Sequence, residues 1–129
     1  MNLDKINEFM LLEREKCPWA STQDISDMIR EVNGELLELV EELIKIPKNK
    51  EKVTDELSDV FSDVLLLLHI AERDQQIKDI QDVVQKALDK KLRRKGWLLE
   101  GKQLTREEAS KYWYSAKELE KSEKINLGT

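Results

Sequence analysis

Apolar residues recur at helical spacing along five stretches of the chain, and no stretch of useful length alternates as a strand would. The first covers residues 3–16, with Leu3, Ile6, Phe9, Met10 and Leu12. It stops before Cys17-Pro18-Trp19, because the residue preceding proline is pushed out of the helical region. Ser21 and Thr22, in the loop at 18–24, are the N-cap candidates for the next helix. That helix spans 25–46, with Ile25, Met28, Ile29, Val32, Leu36, Leu39, Val40 and Leu43 apolar, and Pro47 ends it. The turn at 48–50 is so short that the third helix, 52–73, should return antiparallel to the second. Its inward set is Val53, Leu57, Val60, Phe61, Val64, Leu65 and Leu68, and residues 64–71 are apolar nearly all round. A helix of that kind is enclosed on more than one side, which predicts a homodimer. A fourth helix is read over 79–94, with Gly96 as its stop and residues 97–104 as loop. Thr105-Arg106-Glu107-Glu108 forms a capping box that opens a fifth helix through residue 124. The pattern predicts one all-α domain over residues 1–125, a helical bundle around an antiparallel central hairpin, and a frayed tail at 126–129.

Composition narrows the chemistry. The chain has 129 residues, 40% apolar and 38% charged, with 22 basic against 27 acidic side chains and a net charge of −5. A mildly acidic chain lacks the basic face that binding a nucleic-acid polymer requires. Four Gly and two Pro are too few for a β-sandwich or barrel. The single cysteine, Cys17, excludes an internal disulfide. The longest apolar run, 64–68, is far too short to span a bilayer, and the first residues lack the apolar core of a signal peptide. A cytoplasmic protein without membrane contact is expected. One histidine, His69, leaves no room for a His-rich zinc site and disfavours Ser-His-Asp or Cys-His catalysis. Chemistry here must rest on carboxylates, Lys, Arg and a hard metal.

The carboxylates are arranged in two stripes. Glu31, Glu35, Glu38 and Glu42 follow one another at intervals of four, three and four on the second helix; Glu56, Asp59 and Asp63 do so at three and four on the third. Residues three and four apart share a helix face. Two antiparallel helices can therefore aim Glu35, Glu38, Glu56 and Asp59 at one point. Such a group repels itself unless a cation compensates, and oxygen-only ligands select Mg²⁺ or Mn²⁺. Mg²⁺ commonly completes its shell with substrate phosphates. In a chain with 27 acidic residues the same spacing also arises on plain solvated faces, and the spacing alone leaves both readings open. A di-iron site built on Glu-x-x-His pairs is excluded, since Leu66 stands three residues before His69. Lys90, Lys91, Arg93, Arg94 and Lys95 end the fourth helix, where they either answer the helix dipole or neutralise a polyphosphate. The three tryptophans, Trp19, Trp97 and Trp113, pack in the core or stack on a base.

Taken together these residues resemble the MazG family of all-α nucleoside triphosphate pyrophosphohydrolases. Cys17-Pro18-Trp19 followed by Gln23 resembles the family's C-P-W-D-x-x-Q-T-H segment. Glu35-Leu-Leu-Glu38 and Glu56-Leu-Ser-Asp59 match its E-x-x-E and E-x-x-D signature. Asp89-Lys90-Lys91-Leu92-Arg93-Arg94 resembles its K-L-x-R-R segment, and Trp113 through Lys121 follows a W-x-x-x-K-x-x-E-K pattern. The likeness runs from Cys17 to Lys121. The chain departs from the family at Ala20, where Asp is usual, at Asp24 near the usual His, at Gly34 in place of one of two adjacent Glu, and at Ser58 in place of Gly. Lys95-Gly96-Trp97-Leu98-Leu99 replaces R-H-P-H-V-F. These departures flank the nucleoside pocket, whereas the four carboxylates are all retained.

The resemblance implies hydrolysis of a nucleoside or deoxynucleoside triphosphate to the monophosphate and pyrophosphate, with Mg²⁺ held by Glu35, Glu38, Glu56 and Asp59 and water as nucleophile. It implies phosphate contacts from Lys90, Arg94 and Lys117, and base contacts from Trp113 and then Trp19. Asp89 is a weaker metal contact, and Glu31, Glu41, Glu42 and Asp63 stand behind the ligands or in solvent. It also implies a homodimer, or a dimer of dimers, built on the two central helices. Two other readings compete: a non-catalytic helical dimer of the same fold, and a hydrolase of a different nucleotide pyrophosphate bond.

Overall fold

Five helices carry the chain in the computed structural model, which describes residues 1–126: α1 (Leu3–Lys16), α2 (Ile25–Leu43), α3 (Lys50–Arg73), α4 (Ile80–Lys95) and α5 (Arg106–Asn126). No strand occurs among the described residues. Short 3₁₀ turns at Ala20–Thr22 and Gly96–Leu98 follow α1 and α4. Asn126 closes α5, and the rest of the expected tail, 127–129, lies outside the described residues.

The helices begin and end for local reasons. α2 stops at Leu43, three residues short of the expected end. Pro47 has no amide to donate, its ring would strike the Leu43 carbonyl, and it disfavours a helical Ile46. The cap of α2 is Asp24, not Ser21 or Thr22: the Asp24 carboxylate accepts from the Asp27 amide at 2.8 Å, and the Asp27 carboxylate accepts from the Asp24 amide at 3.0 Å. The two hydroxyls are used inside the 3₁₀ turn, where Ser21 donates to the Pro18 carbonyl and Thr22 to the Trp19 carbonyl. The α3 cap is Asn49, whose side chain accepts the amides of Glu51 and Lys52. The expected box at Thr105 and Glu108 opens α5.

Two compact units form, Met1–Ile80 and a second from Gln81 onward. In the first, α2 and α3 pack along each other as the most extensive helix pair, and α1 covers α3. The core joins Met10, Ala20, Met28, Leu66 and Ile70, with Ile6, Cys17, Leu65 and Leu67 against it. Arg73 ties its lower end together, donating to the carbonyls of Arg14 (2.9 Å), Ala20 (3.0 Å) and Gln23 (2.6 Å). Arg14 meets Glu72 at 2.6 Å, and the other Glu72 oxygen accepts the Ile80 amide at 2.8 Å. In the second unit the buried Glu120 of α5 holds Arg94 of α4.

Several apolar positions expected to face inward do not. Leu57, Phe61 and Val64 of α3, and Ile29, Leu36, Val40 and Leu43 of α2, stay between 40% and 53% exposed. Each helix carries more apolar surface than the hairpin contact and α1 can cover, so the remainder faces outward.

Candidate functional site

The two acidic stripes meet where α2 and α3 run side by side. Glu38 faces Glu56, Glu35 faces Asp59, and Glu31 faces Asp63, so each step up one helix is a step down the other. One carboxylate oxygen from each of Glu35, Glu38 and Glu56 lies within 4.8 Å of the other two. Glu35 and Glu56 are half-buried and Glu38 is exposed. Asp59 is exposed and stands outside this tight trio, as a near negative neighbour of Glu35 and Glu56.

The trio holds charge that nothing in it offsets. Burial, then the charges of Glu38, Asp59 and Asp63, push the Glu35 carboxyl up to about 7. Glu56 is raised by burial and then by Glu38 and Asp59. Asp63 is raised by burial and then by Glu31, Asp59 and Glu13. The Oε2 atoms of both Glu35 and Glu56 are buried without a hydrogen-bond partner. Buried polar oxygens are seldom left so, because desolvation without a partner costs roughly 1–3 kcal/mol and more for a charge. Orphaned oxygens, like charges at close range and an all-oxygen donor set together fit a hard divalent cation.

Sequence spacing did not single out Glu13 or Lys45, and it left Glu42 and Glu120 without a structural role. Glu13 of α1 joins the stripe through Asp63 and has its own buried, unpartnered Oε2; its approach is a tertiary contact with no local signal. Glu42, expected behind the ligands or in solvent, is buried and accepts from Lys45 Nζ at 2.8 Å. Lys45, which also senses Glu41 and Glu56, thus places one cation at the end of the stripe. Glu120 had appeared only as a motif letter.

The second unit gathers the expected basic and aromatic residues. A pocket of about 260 Å³ is lined by Ala87, Lys90, Lys91, Arg94, Lys95 and Trp113. Lys117 Nζ lies 4.3 Å from the Trp113 ring centroid and the Arg94 guanidinium 5.7 Å from it. Arg94 donates to both Glu120 oxygens, at 3.3 and 2.9 Å, which holds the Glu120 carboxyl below its ordinary range. Asp89 accepts from Gln85 at 2.9 Å. Trp19, in the first unit, is 45% exposed beside the 3₁₀ turn.

The family model for the MazG nucleotide pyrophosphohydrolase domain matches residues 23–99, which hold all four carboxylates together with Lys90 and Arg94. The chain belongs to the MazG family. Among solved structures, the crystal structure of a mazG-related protein from Thermotoga maritima is similar to it over 90% of this chain and 99% of that one, with 29% sequence identity and a TM-score of 0.82. No curated protein matches the chain. The five helices are thus a MazG-type all-α fold, and the family is one of nucleotide pyrophosphohydrolases. No helix among the described residues is long and apolar enough to cross a membrane.

Proposed function

We propose that this protein is a divalent-cation-dependent nucleoside triphosphate pyrophosphohydrolase. It splits the bond between the α- and β-phosphates with water, giving the nucleoside monophosphate and pyrophosphate. The observation that carries this reading is the trio Glu35, Glu38 and Glu56 with its two orphaned buried oxygens, in a chain of the MazG family. Glu35, Glu38 and Glu56, with Asp59 beside them, would hold Mg²⁺ or Mn²⁺. A bound cation of this kind supplies Lewis acidity to phosphate oxygens and acidifies water. The chain's own part is to fix the carboxylates. α2 and α3 set the spacing of the donors, and the half-buried positions of Glu35 and Glu56 exclude water from their inner oxygens. Lys90, Arg94 and Lys117 serve as phosphate contacts, with Trp113 among them, and Trp19 as an aromatic contact to the nucleotide. Residues 1–125 act as one catalytic domain of a cytoplasmic homodimer that maintains the nucleotide pool.

The test is pyrophosphate release from the eight common NTPs and dNTPs, with Mg²⁺ and with EDTA. Release from several of them, abolished by EDTA, is the expected result. Silence across that set, with release from another nucleotide pyrophosphate, would transfer the activity to a different bond. Silence with both would leave a non-catalytic helical module.

A further inference from the structure

Trp113 stands among cations. Lys117, one turn along α5, sets its Nζ 4.3 Å from the indole centroid, and Arg94 of α4 sets its guanidinium carbon 5.7 Å from it. Tyr114 meets the same ring edge-on, with centroids 5.0 Å apart and planes at 82°. An indole attracts cations through the negative charge of its π face, and that attraction is already engaged here. A base stacking on the face that Lys117 covers would first have to displace it.

The cations around the ring are not equally free. Arg94 is committed to the buried Glu120 by two hydrogen bonds, and Arg93 lies 3.5 Å from the same carboxylate. Lys90, Lys91, Lys95 and Lys117 meet no carboxylate within 4 Å among the described residues. Three of these lysines line the 260 Å³ pocket floored by Trp113, and the fourth rests on the indole. Like charges gathered in one concavity repel one another until an anion enters.

We infer that Trp113 is a positioning residue for the phosphate chain. It orders Lys117 so that this lysine joins the pocket cations in receiving a polyphosphate, and it does not stack on the base. The inference rests on the nucleotide reading above and assigns the triphosphate moiety to this pocket. Holding a lysine against the ring before binding removes rotamer freedom that would otherwise be lost on binding, which is how the ring strengthens a contact it does not itself make.

Inorganic tripolyphosphate, which has no base, tests this by titration calorimetry at low ionic strength in EDTA, where no cation site contributes. Trp113→Leu should weaken tripolyphosphate binding by roughly three- to tenfold, the size expected of an exposed to partly desolvated cation–π contact. Trp113→Phe, which keeps a π face, should stay within about threefold of wild type. Cytidine and adenosine should not distinguish wild type from Trp113→Leu. Lys117→Met should weaken tripolyphosphate similarly, and Trp113→Leu should then add little to it, since the two changes remove one interaction. Additive losses would mark a general packing role and overturn the proposal. So would an unchanged tripolyphosphate affinity in a folded Trp113→Leu protein, a loss confined to the nucleosides, or a wild type that binds no tripolyphosphate. If Trp113→Leu fails to fold, the pair Trp113→Phe and Lys117→Met with their double variant decides. No turnover is measured, so a protein that binds tripolyphosphate yet hydrolyses nothing sinks the hydrolase reading and leaves this one standing.

Discussion

At about 7, the Glu35 carboxyl titrates well above the ordinary glutamate value of 4.5, because burial and three neighbouring carboxylates all oppose its charge. The folded protein therefore binds this proton more tightly than the unfolded chain. The stability it contributes is fully present below the ordinary value of 4.5 and is lost as pH rises through about 7. Glu56 and Asp63 are shifted in the same direction. In EDTA, the melting temperature should fall between pH 4.5 and 7.5, and Glu35→Gln should flatten that fall. Mg²⁺ at pH 7.5 should restore wild type and not the variant; identical pH profiles for the two proteins would remove Glu35 from the centre. Glu38→Gln should lower turnover at least about a hundredfold, since even partners one shell outside a metal cost 10–100-fold. A variant that keeps full activity would contradict the ligand assignment. The three- and four-residue spacing made the stripes legible in the sequence. The distinction between the tight trio and Asp59 was not, nor was the approach of Glu13, because both depend on how three helices meet.

At the level of elements, the apolar repeats and the prolines located all five helices, α1 with both its ends and the others with ends shifted by no more than three residues. The cap of α2 was misread because hydroxyls at Ser21 and Thr22 looked free, whereas the 3₁₀ turn consumes them and leaves Asp24 to the amides. Asp24→Ala should cost about 1 kcal/mol in urea unfolding, the usual size for a lost side-chain cap, while Ser21→Ala should cost much less. Arg73 was unmarked in the sequence, yet its one guanidinium serves three carbonyls from α1 and the turn. Arg73→Lys keeps the charge and loses the planar fork. It should destabilise the first unit by roughly 2 kcal/mol, as buried carbonyls lose their donor, with no change in KM beyond that of the folded fraction. A Lys variant as stable as wild type would show that water replaces the fork.

At the scale of the whole molecule, the question is what covers α2 and α3. The run 64–71 predicted a partner because it is apolar nearly all round, but Leu66, His69, Ile70 and Ala71 are buried within the chain, Leu66 and Ile70 in the core that α1 shares. Apart from Val64 at the start of that run, the exposed apolar surface lies elsewhere, on Leu36, Val40, Leu57 and Phe61, along the hairpin that also carries the carboxylates. Scattered exposed apolar residues are ordinary, but a continuous face on two packed helices is the pattern of an interface. A second copy of the chain is the partner we propose for this face. Light scattering should give twice the 15.2 kDa chain mass, or four times it for a dimer of dimers. Phe61→Glu would bring a charge into such an interface and should shift the protein toward the monomer. If the interface holds the hairpin in register, the same variant should lose Mg²⁺ affinity as it dissociates, although Phe61 is not a ligand. A monomeric wild type would leave the hairpin's apolar face to a different partner, and a dimeric Phe61→Glu would place the interface on another helix.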